Sequence, residues 1–118
     1  MARRFVITDV FTERRFAGNQ LAVVVDAERL DQAAMQTIAR EFNFSETTFV
    51  LPPEQGGDKR VRIFTPASEI PFAGHPTVGT ALVLAELGEV RIKGDAPEII
   101  LEEGAGPVPV RLRRDGGR

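Results

Sequence analysis

Apolar positions along this chain fall into short runs, and the spacing within each run predicts its element. Residues 5–10 and 21–25 are apolar and rich in β-branched side chains, and both read as strands on either side of a loop carrying Gly18 and Asn19. Asp31 is placed to cap a helix in which Met35, Ile38, Ala39 and Phe42 recur at helical spacing, leaving Gln32, Gln36 and Arg40 for solvent. Residues 45–51 and 60–65 predict two further strands, joined through Pro52, Pro53 and the Gly56-Gly57-Asp58 loop. Pro66 and Pro71 then preclude regular structure until Gly74.

Amphipathic spacing disappears over residues 78–87, where Val78, Ala81, Leu82, Val83, Leu84, Ala85 and Leu87 point in every direction. A helix that is apolar all round is buried, so strands must wrap it, with Gly79, Ala81 and Ala85 permitting close approach and Gly88 ending it. Residues 90–92, 98–101 and 108–112 predict three more strands. The predicted fold class is therefore α+β: mostly antiparallel strands wrapped as a roll or barrel around one central buried helix. One domain is expected over 1–113, followed by a polar tail over 114–118. Asp115-Gly116 is a hairpin signal with no returning strand after it, which leaves two readings open: a frayed tail, or a strand whose partner lies elsewhere.

Length adds a constraint, because 118 residues build one core but are few for a cleft between two independent domains. Any deep cleft must be shared. Lys and Arg total 15 against 17 Asp and Glu, and the positive residues are scattered, which argues against a nucleic-acid partner. No apolar run has the length that spans a bilayer, and residues 1–4 lead straight into a strand pattern, so the expected setting is cytoplasmic and away from membranes. The absence of cysteine removes disulfides, thiolate nucleophiles, zinc-thiolate sites and two-cysteine racemase chemistry together. A single histidine also excludes a His-rich metal site. What remains for chemistry near neutral pH is a short list: carboxylates, His75 and a lysine.

Two positions stand out in that list. Gly74-His75-Pro76-Thr77 lies where a loop becomes the buried helix, with His75 suited to the cap and Pro76 to the first helical position. Its free amides and the helix dipole favour a carboxylate or phosphate, and Gly74 lets a ligand approach the backbone; the plainer reading is an ordinary, internally capped helix start. Glu46 shares a strand face with Phe44, Thr48 and Val50, where burial would raise its pKa toward the range of a general acid/base. A solvated or backbone-bonded glutamate is the alternative. Glu69, between two prolines, is placed to orient the turn by accepting backbone hydrogen bonds. Asn19 is a candidate ligand contact or simply part of a turn, and Asp9 has the same ambiguity. The acidic stretch over 98–103 reads as a solvated strand face.

Three ordered motifs resemble the PhzF-like family of phenazine biosynthesis isomerases. They are Gly18-Asn19 before an apolar strand; Met35-Gln36-x-Ile38-Ala39-Arg40-Glu41 running into Asn43-Phe44-Ser45-Glu46-Thr47-Thr48-Phe49-Val50; and Arg62-Ile63-Phe64-Thr65-Pro66 leading to Glu69-x-Pro71-Phe72-Ala73-Gly74-His75-Pro76-Thr77-x-Gly79-Thr80-Ala81. The resemblance implies a diaminopimelate-epimerase-like half-fold with strands around a central helix. It implies that Glu46 shuttles a proton between carbons of a small cyclic substrate such as trans-2,3-dihydro-3-hydroxyanthranilate. It also implies that Asn19 and the turn Gly74, His75, Pro76 and Thr77 hold that substrate, with no cofactor and no metal. Members of the family are roughly twice this length, so a second wall of the site is expected from another chain, as a homodimer or a separate C-terminal half. The alternative is a non-catalytic half-domain or a small-carboxylate-binding or interaction module.

Overall fold

Helices interrupt the strand pattern twice, and each interruption turns the sheet from antiparallel to parallel. The computed structural model describes residues 4–10, 19–88 and 98–111. In chain order the elements are β1 (Phe5–Val10), β2 (Asn19–Val24), α1 (Gln32–Phe42), β3 (Glu46–Leu51), β4 (Lys59–Phe64), β5 (Glu69–Ile70), α2 (Gly74–Glu86), β6 (Glu98–Glu103) and β7 (Gly106–Arg111). They form one sheet in the order β1-β2-β3-β4-β6-β7, with β5 paired to β4. The pairs β1/β2, β3/β4, β4/β5 and β6/β7 are antiparallel. The two parallel pairs, β2/β3 and β4/β6, are those whose connections contain α1 and α2. A helix-length crossover is what a parallel pair requires.

The two helices lie on opposite faces. Val24, Ala27, Met35, Ala39, Phe49 and Phe64 pack α1 against one side, where the Phe49 and Phe64 rings meet edge to face with centroids 5.4 Å apart. Leu21, Val23, Val50, Val61, Ile63, Ile99, Leu101 and Val110 pack against Ala81, Val83 and Leu84 of α2 on the other. Because β1 and β7, the first and last strands in the sheet order, both touch α2, the sheet curls around that helix as a partial barrel. The α+β fold class expected from the sequence is thus the observed one. Leu82 departs from the all-round burial of that helix, being 51 % exposed. The predicted strand at 90–92 and the Asp115-Gly116 turn lie outside the described residues.

Local chemistry accounts for most boundaries. Asp31 caps α1 as expected, accepting from the Ala34 amide at 2.7 Å, and Asn43 closes it in the left-handed conformation with φ 54°. Gln36 is not simply solvated, since its amide donates to the carbonyls of Thr65 and Pro66. Two expectations are corrected. Helix α2 starts at Gly74 with Ala73 as the cap residue, so Pro76 is the third helical position, where its missing N–H is still one that no carbonyl would have accepted. The two-residue strand β5 also forms between the prolines, paired to Ile63 and Phe64. Among the described residues, no helix is long and apolar enough to cross a membrane.

Candidate functional site

Strand register brings two of the predicted residues, Asn19 and Glu46, to one end of the sheet. Leu21 lies opposite Glu46, so Asn19 at the start of β2 and Glu46 at the start of β3 share an edge. Thr47 lies opposite Phe64, which places the end of β4 at the same edge, and the chain passes from there through β5 into α2. Alternation fixes the face: Thr48 Oγ1 is 2.8 Å from Thr80 Oγ1 on α2, so Glu46, two residues earlier, faces the α2 side. Glu46 is half-buried, and among the described residues it makes no hydrogen bond or ion pair.

The turn divides into an outward and an inward part. Gly74 and His75 are exposed, the cap position supplies no side-chain hydrogen bond, and a Cβ on Gly74 would meet nothing within 4 Å. Pro76 and Thr77 are buried. The Thr77 hydroxyl lies 2.7 Å from the Ala73 carbonyl and 2.8 Å from Glu103 Oε2, so it is engaged inside the protein rather than offered to a ligand. Open backbone at the start of a helix attracts anions, and here Gly74 and His75 provide it. Of Asn19 the structure gives the backbone position in β2, opposite Val10, and of Asp9 the position opposite Gln20.

Three carboxylates differ from their sequence reading. Glu69 does not orient the turn through backbone hydrogen bonds. It lies on the α1 face opposite Phe64, where both its oxygens accept from Arg62 at 2.7 and 2.8 Å, and that bond raises the Arg62 pKa further. The acidic stretch is not a solvated face either. Glu102 accepts from the amides of Glu54, Gln55 and Gly57 at 2.6–2.9 Å, and the Glu54 amide above all holds its carboxyl below the usual range. That clamp docks the loop after β3 onto β6, helped by Asp58, which accepts from the Ile100 amide at 2.6 Å. Glu103, on the next position and therefore the other face, is buried beneath the first turn of α2, and burial pushes its pKa up to about 7. Sequence reasoning missed this residue. The available signal was alternation along β6, since Ile99 and Leu101 face the core and Glu103 continues their register.

An open groove of about 630 Å³ is lined by Gln32 and Gln36 of α1, by Ser68, Glu69, Ile70 and Pro71 on the way into α2, and by Gly104; Glu46 is not among its lining residues. Among the described residues, no group of three or more His, Asp or Glu side chains is placed to hold a metal ion.

Comparison with known proteins gives the same grouping of motifs a lineage. The model of the family described as phenazine biosynthesis-like protein, PhzC-PhzF, matches residues 8–118. An uncharacterized isomerase of Mesorhizobium japonicum is 55 % identical over 116 residues, covering 98 % of this chain and 37 % of the relative. Trans-2,3-dihydro-3-hydroxyanthranilate isomerase of Pseudomonas aeruginosa is 45 % identical over 115 residues, covering 98 % of this chain and 39 % of the relative. The chain thus spans less than two-fifths of the length of these relatives. Among solved structures, a PhzF-family phenazine biosynthesis protein of Bacillus anthracis superposes with a TM-score of 0.84 at 36 % identity, over 98 % of this chain and 38 % of that one. A hydroxyproline epimerase of Agrobacterium vitis superposes with a TM-score of 0.77 at 14 % identity, over 98 % of this chain and 38 % of that one, which is a likeness of fold alone.

Proposed function

This chain belongs to the PhzC-PhzF family of phenazine biosynthesis-like proteins, and from that membership we propose that it forms one wall of an isomerase site acting on a small cyclic carboxylated substrate. Trans-2,3-dihydro-3-hydroxyanthranilate, named for the activity of a relative 45 % identical to this chain, is the model for that substrate class. The observation that carries the reading is the state of Glu46. A half-buried carboxylate at the mouth of a helix-lined edge, with no hydrogen bond or ion pair among the described residues, has no structural task to explain it.

In this reading the Glu46 carboxylate takes a proton from one ring carbon and, as the acid so formed, returns it to another carbon of the same ring. The double bonds shift between the two events, and no redox partner is needed. The amides of Gly74 and His75 hold the substrate carboxylate, which fixes the ring so that the reacting carbons lie within reach of Glu46. Asn19, Pro76 and Thr77 complete the cradle, Pro76 and Thr77 by shaping its first turn. One wall alone neither excludes water nor confines the substrate, so the site in this reading needs an opposite wall, for which a second copy of this chain or a C-terminal half is the candidate.

The test is turnover in deuterium oxide, with the chain alone and with its candidate partner, using dihydrohydroxyanthranilate and following ring deuteration by NMR. Isomerisation that disappears in Glu46→Gln supports the reading. Absence of Glu46-dependent turnover under both conditions overturns it and leaves the non-catalytic carboxylate-binding module.

A further inference from the structure

Thr77 Oγ1 has one proton and three oxygens around it: the Ala73 carbonyl at 2.7 Å, Glu103 Oε2 at 2.8 Å and Glu103 Oε1 at 3.1 Å. A hydroxyl donates once. If Glu103 were ionised, its carboxylate would only accept, and the Thr77 proton, which also faces an Ala73 carbonyl already bonded to the Thr77 amide at 3.2 Å, would be its one hydrogen bond among the described residues while the charge stayed buried. A neutral Glu103 resolves the shortage, because its own O–H donates to Thr77 Oγ1 and Thr77 passes its proton to Ala73. Thr77 Oγ1 then both accepts and donates, and no charge is left buried.

The surroundings favour the neutral form. Glu103 is 8 % exposed, and Thr77 is its sole partner among the described residues. On β6 the neighbouring Glu102 points to the opposite face and is clamped by the loop at 54–57. On β7 the residue opposite Glu103 is Gly106, and Arg111 lies at the far end beside Glu98. Glu69 on β5 is held by Arg62. On β4, which pairs with β6 through Lys59 and Arg60, Arg60 lies beside Glu54. His75 is on the exposed part of the α2 turn. Lys59, opposite Leu101, acts on Asp26, and among the described residues no ion pair to Glu103 is formed.

We propose that Glu103 is a positioning residue for the α2 turn: as a neutral acid it donates to Thr77, holds Ala73 and Thr77 in register, and leaves the positive helix end uncompensated for the substrate carboxylate. The proposal rests on the reading of the Gly74 turn as the cradle. Ionising Glu103 breaks the hydrogen-bond chain and sets a negative charge behind the first turn, where it opposes an incoming anion. Anion binding and protonation of Glu103 therefore strengthen one another.

The experiment compares the chain with Glu103→Gln, whose amide still donates to Thr77 and carries no charge at any pH. Thermal melting is followed from about pH 5 to about pH 8, and benzoate binding is titrated near both ends of that range. The expected result is a melting temperature that falls with rising pH in the parent and far less in Glu103→Gln. Benzoate affinity is expected to drop about tenfold across the range in the parent and to hold within about twofold in the variant. His75 is common to both proteins and cancels in the comparison. Parallel melting profiles overturn the hydrogen-bond chain itself. Distinct melting profiles with no benzoate binding at any pH overturn the cradle reading and the positioning role with it. Should the variant not fold, carbon-13 NMR titration of the parent decides: a Glu103 carboxyl that ionises with the ordinary carboxylates refutes the proposal, and one that ionises near neutrality supports it.

Discussion

Three glutamates show how the same side chain is put to different uses by what it touches. Among the described residues Glu46 makes no hydrogen bond or ion pair that would explain it structurally, so Glu46→Gln is expected to lower turnover by roughly a hundredfold or more. Its thermal stability should stay within about 0.5 kcal/mol of the parent by chemical denaturation. Glu102 is the converse, a carboxylate whose three amide donors give it a depressed pKa and a structural role. A depressed pKa contributes stability above the unfolded-state value, and that stability is lost as pH falls through the folded value. Glu102→Gln should therefore lower the melting temperature at neutral pH and flatten the acid limb of the stability profile. Glu103 runs the other way. Its pKa rises from 4.5 to about 7, so its contribution is complete below the unfolded value and fades as pH climbs toward 7. With allowance for solvent screening, that loss is about 1–2 kcal/mol. Sequence alone does not separate these residues, because Glu102 and Glu103 are adjacent and chemically identical. Only the face each occupies, and the loop or helix that comes to meet it, makes one an anion clamp and the other a neutral acid.

Elements are more legible than residues, with exceptions that have physical causes. Helix α1 is readable because its apolar positions follow one stripe and Asp31 marks its start. Helix α2 is recognisable as the central helix, but its first turn is hidden by His75-Pro76, which suggests a later beginning than the backbone adopts. Strand β5 has no pattern of its own and exists through pairing with Ile63 and Phe64. The contact of α2 with β3 includes a buried hydroxyl pair, Thr48 and Thr80. Thr48→Val should cost about 1–3 kcal/mol in denaturant unfolding, because it strands the Thr80 hydroxyl, whereas Thr48→Val with Thr80→Val should recover much of that loss. Gly104 tests how the lead-in to α2 is held, since a Cβ there would lie 3.0 Å from Pro71 Cα, a backbone atom. Gly104→Ala is expected to destabilise by about 1–3 kcal/mol and to weaken carboxylate binding at the turn, measured by thermal shift.

At the scale of the whole molecule, the chain is a curled sheet around one helix whose outer side is partly bare. Leu82 and Phe72 are about half exposed, and the relatives extend well beyond the matched region. If a second copy supplies the opposite wall, turnover per chain should rise with protein concentration, and sedimentation should show a dimer over the same range. If a separate C-terminal half supplies it, turnover should saturate with that partner instead. The α+β class, the central helix, the amphipathic helix and the motifs around Glu46 and Gly74 were determined by the sequence itself, because periodicity and short-range turn chemistry are local properties. What only the tertiary structure decided was which end of the sheet each motif reaches. It also decided that Glu69 turns to Arg62, that Thr77 turns inward, and that Glu103 lies buried beneath the helix start. Those outcomes depend on strand register and on crossovers between residues far apart in the chain, and local spacing carries no record of either.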